Sequence, residues 1–326
     1  MNPWDTLLPR TANFIIGAVE VGAIRMLYAL PRHGPPALEA IAFPGDGVPW
    51  PWWQSLPGAA GKHPHSGGLL GSLHRRLQSK GGIYSRAALF VVEPRLAAEG
   101  QPFALYDELL PFSLTASGEP TSRYDGSEQK AATRLEALLD AAYSAGSDAS
   151  PLHRATTTAA LPEDGVREGT SSRTPLLVFG FSKGGIVLNQ LLAECSYDEG
   201  EGAHPLIRRI AQIHYLDAGL QSRGAHLTDP AIIGALGRCC RARVAICFHG
   251  TPRQWKDSNR AWLVEEKDRS AELLSRAGLT ARQRLYFEEK SNAAQADPRA
   301  GLALHFGVVD EFDLSLAGDV GSTPSV

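Results

Sequence analysis

Five short, predominantly apolar runs punctuate this chain. They are LEAIAF at Leu38–Phe43, AALFVV at 87–92, LLVF at 176–179, IAQIHYL at Ile210–Leu216 and VAICF at 244–248. Runs of this length, without the strict alternation of a half-exposed strand, predict strands buried on both faces of a parallel sheet. RLYF at 284–287 is the expected last strand. The stretch 11–30 is also apolar, but Glu20 and Arg25 interrupt it. A membrane span needs ~20 apolar residues with few charges, so this stretch predicts a buried strand pair or a helix instead.

Helical patterns fill several of the gaps. Ala131, Leu135, Leu138, Leu139 and Ala142 recur at three-to-four spacing behind Asp125, with Glu128 as a capping-box partner. Residues 186–195 and 264–277 also read as helices. Strands alternating with helices predict the α/β class: a mostly parallel, doubly wound sheet with helices on both faces, in a single domain over 1–326. Two stretches break the pattern. Residues 144–175, rich in Ser, Thr, Ala, Gly and Pro, predict a disordered surface insertion, and 55–71 a flexible loop.

Composition narrows the function classes. The 326 residues are 43% hydrophobic, enough for a real core. A formal net charge of −3 gives no support to nucleic-acid binding, which needs a strongly basic face. The cysteines Cys195, Cys239, Cys240 and Cys247 form no CxxC pair, so neither a zinc cluster nor a disulfide framework is expected, and a reducing compartment is. Neither a signal-peptide core nor a clear transit peptide is legible at the N-terminus, so the residues alone assign no compartment beyond the cytoplasm.

The sharpest chemical signal is Gly180-Phe181-Ser182-Lys183-Gly184, set between the run LLVF and the helical run that follows. A G-x-S-x-G motif in strand–turn–helix context holds its serine at a strained bend, with the helix N–H groups aimed at a developing oxyanion. The glycines remove side chains that would collide with neighbouring backbone. The oxyanion hole then takes the amide of Lys183 and one from Phe43-Pro44-Gly45-Asp46, that of Gly45 or Asp46. Alone, FPGD reads as an ordinary turn. The run Gly180 to Gly185 has the spacing of neither a P-loop nor a dinucleotide fingerprint, so no nucleotide cofactor is implied.

A serine nucleophile needs a base late in the chain, and His305 in ALHFG fits that position, with Gly307 suggesting a loop. His249, after VAICF, is the rival, and His214 reads as a packed strand residue. His63 and His65 read as solvent-exposed rather than as metal ligands. The acid that orients the imidazole is either Asp257 or Asp217, both at carboxyl ends of expected strands. Asp257 is preferred because the acid usually follows the penultimate strand, although either could be a helix-capping carboxylate.

Taken together, FPGD, GFSKG with VLNQLL, YLDAG, HGTPRQWKDSNRAW and HFGVVDEF resemble the chromosome-two open-reading-frame sixty-nine family. The similarity runs in blocks from 38 to 312 and passes over 144–175. The resemblance implies an α/β-hydrolase-like fold, association with mitochondria and a serine nucleophile at Ser182, with Asp217, Asp257 and His305 in matching blocks. It implies no established substrate.

Two functions follow as expectations. One is a serine hydrolase of esterase, thioesterase, lipase or amidase type, with no cofactor, acting on a small acyl or ester-type substrate. Phe181, Trp255 and Trp262 favour an acyl or lipid-like group, and Trp50, Trp52 and Trp53 could line an acyl pocket or lid, or simply pack locally. The other is a non-catalytic hydrolase-fold regulator or scaffold that binds a protein partner.

Overall fold

The computed structural model describes residues 13–47, 66–97, 102–147, 157–159, 174–197, 204–240 and 243–320. Its strands are β1 (Phe14–Val21), β2 (Ile24–Pro31), β3 (Leu38–Phe43), β4 (Ala87–Glu93), β5 (Arg95–Leu96), β6 (Ala104–Leu105), β7 (Thr157–Ala159), β8 (Leu176–Phe181), β9 (Ile210–Leu216), β10 (Ala245–Gly250) and β11 (Thr280–Leu285). Its helices are α1 (Ser66–Lys80), α2 (Lys130–Ser147), α3 (Gly185–Cys195), α4 (Pro205–Arg209), α5 (Pro230–Cys239), α6 (Pro252–Trp255), α7 (Trp262–Arg276), α8 (Ser291–Ala296) and α9 (Pro298–Glu311).

Nine strands form one sheet in the order β11-β10-β9-β8-β3-β4-β2-β1-β7. The six strands from β11 to β4 are parallel, and β2 joins β4 and β1 antiparallel. Successive side chains point to opposite faces, which explains the continuous apolar runs. In β8, Leu176 and Val178 enter one core with Ile41, Phe90, Leu135 and Leu188. Leu177 and Phe179 enter the other, with Leu70, Leu73, Val308 and Phe312. Helices α2, α3, α5 and α7 therefore cover one face, and α1 and α9 the other.

The stretch 11–30 contains a strand pair, β1 and β2, joined in register from Phe14–Pro31 to Val21–Ile24. Other expectations shift. The last strand is Thr280–Leu285 rather than 284–287. TARQRL pairs only with β10, so this edge strand carries polar side chains and lacks an apolar signature. Tyr286 leaves the sheet, its amide donating to the Gly250 carbonyl at 2.8 Å. The expected loop 55–71 gives way at Ser66 to α1, which buries Leu69, Leu70, Leu73 and Leu77; 55–65 lie outside the described residues. Within 144–175, α2 continues to Ser147 and Thr157–Ala159 pairs with β1, the remainder up to 173 lying outside the described residues.

The cap of α2 also differs. Asp125 accepts the Ser127 amide, at 2.9 Å, and the Tyr197 hydroxyl, at 3.5 Å, and the helix begins only at Lys130. Its first amides, Ala131 and Ala132, donate instead to the buried carboxylate of Glu194 on α3, each at 2.9 Å. A long-range cap of this kind satisfies helix N–H groups as a local one does, but no sequence spacing reveals it.

A buried polar chain crosses β9 and β10. Gln212 donates through Nε2 to the Gly318 carbonyl, which leaves its Oε1 to accept from His214 Nε2 at 3.1 Å. His214 Nδ1 then accepts from His249 Nε2 at 3.0 Å, and His249 Nδ1 accepts from the Tyr286 hydroxyl at 2.9 Å. Every partner is satisfied with both rings neutral, a tautomer pattern assigned from the network. Burial pushes His214 down to about 3, and burial with the neighbouring His214 holds His249 well below the ordinary range.

The sign of the pH dependence follows. In the unfolded chain both rings titrate near their ordinary value, so on acidification the unfolded state takes up protons that the folded state refuses. Stability should be full above about pH 6.5 and should fall as pH drops from there toward about 3. Urea midpoints measured from about pH 7 down to about pH 5 should decline, and a flat series would contradict this neutral pair.

Candidate active site

Four neighbouring parallel strands, β3, β8, β9 and β10, end side by side. Their register places Phe43 beside Gly180, Phe181 beside Leu216, and Leu216 beside His249. From β3 the chain proceeds to β4 on one side, whereas β8 leads to β9 and β10 on the other. Open α/β sheets place their crevice at such a reversal, outside the carboxyl ends of the strands. The residues just past those ends are Gly45, Ser182, Asp217 and Thr251.

Ser182 has a φ of 54°, in the left-handed region, and its Ser182–Gly184 turn passes directly into α3. A side chain at Gly184 would start 2.0 Å from the Phe43 carbonyl oxygen. One at Gly45 would start 2.4 Å from Ser182 Cβ and 2.9 Å from its Oγ. The bend therefore lies against the loop after β3 with no room between them. The Gly45 and Asp46 amides have no acceptor among the described residues.

Lys183 ties these two segments together. Its buried Nζ donates to Asp46 Oδ1 and to the Ser117 carbonyl, each at 2.5 Å, and lies 5.2 Å from the Phe103 ring centre. Asp46 Oδ1 also accepts the Ala104 amide at 2.8 Å. The side chains of Lys183 and Asp46 thus hold the position of the backbone segments that carry their amides.

Asp217, at a φ of 47°, is fully buried. Its Oδ1 accepts the Thr251 amide at 2.6 Å, and its Oδ2 accepts the Thr251 hydroxyl and His305 Nδ1, each at 2.7 Å. With Nδ1 as donor, His305 Nε2 carries the lone pair. The imidazole lies on Phe181, centroids 4.6 Å apart, and against Phe306 at 5.4 Å. Burial lowers the His305 pKa, against the opposing pull of Asp217. Ser182 and His305 line one cavity of about 210 Å³. Among the described residues Ser182 Oγ makes no hydrogen bond.

Several expectations change here. His305 lies inside α9, not in a loop, and Gly307 is a helical residue facing Phe287. The preferred acid, Asp257, does not reach His305: it caps the turn Ser258–Arg260, accepting from the Asn259 amide at 2.9 Å and Arg260 Nε at 2.8 Å. It is Asp217 that meets the imidazole. His249 does not follow its strand but lies within β10, both ring nitrogens occupied, like His214 in β9. Trp255 packs under Gly250 with Lys267 Nζ 4.3 Å from its ring centre, and Trp262 donates to the Ser222 carbonyl; neither lines the cavity. The cavity's apolar lining is Phe103, Leu220, Leu302 and Phe306. Trp50, Trp52, Trp53, His63 and His65 lie outside the described residues. Thr251 and Arg253, which also border this region, carry no motif of their own; the one cue is their place just after an apolar run.

His214, Cys247 and His249 bring ligand atoms within 4.8 Å of one another. Three lone pairs directed at one ion are not available there. His214 spends both nitrogens on Gln212 and His249, and burial pushes the Cys247 thiol up to about 12, so it stays protonated. The two histidines belong to the hydrogen-bonded chain that crosses β9 and β10.

The strand order, the bend at Ser182 and the His305–Asp217 pair at the carboxyl edge define an α/β-hydrolase-like protein. The sequence profile of the C2orf69 family (chromosome-two open-reading-frame sixty-nine) matches residues 114–280, just over half of the 326. The chain belongs to the C2orf69 family. The matched stretch holds Ser182, Asp217 and Asp257 and stops before His305.

A zebrafish (Danio rerio) relative named mitochondrial protein C2orf69 homolog is 32% identical over 155 residues, 44% of this chain and 41% of the relative. Human mitochondrial protein C2orf69 is 28% identical over 117 residues, 35% of this chain and 29% of that protein. The matches therefore span well under half the length of these relatives. Among solved structures, a hormone-sensitive lipase from a metagenome library aligns over 92% of this chain and 87% of its own, with 13% identity and a TM-score of 0.42. The esterase Est22 aligns over 94% and 83%, with 14% identity and the same TM-score of 0.42. Likeness at that level carries no functional weight. Among the described residues no helix is long and apolar enough to cross a membrane.

The close approach at the bend is directly testable. Gly184→Ala should destabilise the protein by about 1–3 kcal/mol, the usual cost of overpacking. Gly234→Ala, in α5 with nothing within 4 Å of the added carbon, should be neutral or stabilising. Urea unfolding of both variants decides it: a Gly184→Ala protein as stable as the parent would remove the contact with Phe43.

Proposed function

We propose that the chain is a serine hydrolase that cleaves an ester, thioester or amide. The observation that carries this reading is the 2.7 Å bond from His305 Nδ1 to buried Asp217, on an imidazole that shares one cavity with the strained Ser182. Asp217 fixes the tautomer, so Nε2 can take the Ser182 proton as Oγ attacks the carbonyl carbon. The amides of Lys183 and of Gly45 or Asp46 receive the oxyanion, at about 3–4 kcal/mol per donor in known cases. Protonated His305 then gives its proton to the leaving group, and water enters by the same base to release the acyl enzyme. Asp257 holds Arg260 and takes no proton. The names of the relatives support a mitochondrial placement.

A fluorophosphonate probe tests the nucleophile: the parent should be labelled and Ser182→Ala should not, with the thermal midpoint nearly unchanged. Absence of labelling in folded parent protein would favour the non-catalytic scaffold. Asp217→Asn should lower kcat/KM by roughly a thousandfold or more, because it permits the wrong tautomer. Asp257→Asn should cost far less. Equal losses in the two variants would remove Asp217 from its role. Labelling should also fade on acidification, since burial keeps His305 neutral at pH values where an ordinary imidazole begins to charge and only the neutral ring accepts a proton.

A further inference from the structure

The cavity at Ser182 is lined by more charge than a site for a neutral lipid-like group requires. Lys183, Arg253, Arg260, Asp46 and Glu119 all border it. Four of these five are already matched: Lys183 is paired with Asp46, Arg260 with Asp257 at 2.8 Å, and Glu119 accepts the Gln221 amide at 2.7 Å. Arg253 is the exception. Its backbone carbonyl accepts from Arg260, but its guanidinium has no ion pair or hydrogen bond among the described residues. The side chain is nevertheless partly withdrawn from water, and that burial is the main force weakening its hold on the proton; Asp217 and Asp257 compensate only at longer range.

Its position gives the missing partner a direction. A side chain begun at Gly301 would start 3.8 Å from Arg253 Nη1, and Gly301 lies one helical turn before His305 on α9. The guanidinium therefore sits on the His305 side of the cleft, and its charge is one of those that depress the imidazole. The amides of Gly45 and Lys183 belong instead to the loop after β3 and the bend after β8. Because the imidazole must protonate the leaving atom, the departing portion of the substrate occupies the side where Arg253 waits.

We propose that Arg253 binds an anionic oxygen group, a carboxylate or a phosphate, on the leaving-group portion of the substrate. The inference rests on the serine-hydrolase reading and narrows it to esters, thioesters or amides whose departing alcohol, thiol or amine is anionic. A planar guanidinium matches either oxyanion with two parallel N–H bonds, and a half-buried cation without a counter-ion gains most from such a partner. The lipid-like preference read from Phe181, Trp255 and Trp262 is replaced, since none of the three lines the cavity.

The test uses butyrate esters of 3-hydroxybenzoate, 3-hydroxyphenylphosphonate and the neutral isostere 3-hydroxybenzamide, each corrected for uncatalysed hydrolysis. In the parent, kcat/KM for at least one anionic ester should exceed that for the amide by roughly tenfold or more, the range of a charge-assisted hydrogen bond. Preference for the benzoate alone identifies a carboxylate, for the phosphonate alone a phosphate, and for both a general oxyanion site. Arg253→Leu should bring the ratio near one, and Arg253→Lys should leave an intermediate ratio by keeping the charge without the fork. The parent's own ratio stands as a test even if Arg253→Leu does not fold. Ser182-dependent turnover of all three esters without anionic preference would overturn the Arg253 assignment and leave the hydrolase intact. Absence of both turnover and fluorophosphonate labelling would overturn the hydrolase and this inference with it.

Discussion

The site depends on two loops meeting with no side chain between them. The bend after β8 and the loop after β3 leave strands that pair in parallel, so their ends emerge together at one edge of the sheet. Gly184 lies against the Phe43 carbonyl and Gly45 against the side chain of Ser182. With any larger residue at either point the loops would separate, and the Gly45 and Asp46 amides would move away from Ser182. The Lys183–Asp46 pair adds an electrostatic clamp across the same contact, buried at the lysine and reinforced by the Ala104 amide. Sterics set the distance and the ion pair limits the freedom around it.

Burying the Asp217 carboxylate is costly unless its lone pairs are filled, and Thr251 supplies two donors to match the one from His305. Its own amide donates to the His249 carbonyl at 2.6 Å. The acid is thus anchored from both ends: its side chain by the residue after β10, its backbone by a residue within β10. The neutral chain from Gln212 through His214 and His249 to Tyr286 lies immediately behind it. Asp217 needs fixed neighbours because a mobile carboxylate would not select one imidazole tautomer.

Much of this was legible in the residues because strands buried on both faces write themselves as apolar runs, and β3, β4, β8, β9 and β10 all did so. The bend was legible because GFSKG sat between two such signals. The elements that leave no mark in the residues depend on partners distant in the chain. The edge strand β11 is polar because it has only one neighbour, α1 opens on two glycines, and Glu194 caps α2 from 63 positions away. Asp217 and Asp257 both follow apolar runs, and no spacing rule distinguishes a carboxylate facing an imidazole from one capping a turn. Only tertiary geometry separates them.

His305, the proposed base, shows why position along the chain is a weak guide to the element that carries a side chain. Gly307 suggests a loop, yet the residue sits on a helix whose start is fixed by Pro298 and by Asp297 accepting the Arg299 amide at 2.9 Å. The same helix sends Val308 and Val309 into the core against α1, and Phe312 follows just beyond its end. Sliding α9 to move the imidazole would break that packing, so the rotamer of His305 is constrained by residues that never touch a substrate. A helix with one face in the core and one turn at the cleft positions a base more rigidly than a loop would. It also brings Gly301 beneath Arg253, where an added carbon would lie 3.8 Å from Nη1. The placement of the imidazole and of the backbone beneath the guanidinium are thus two consequences of a single packed helix.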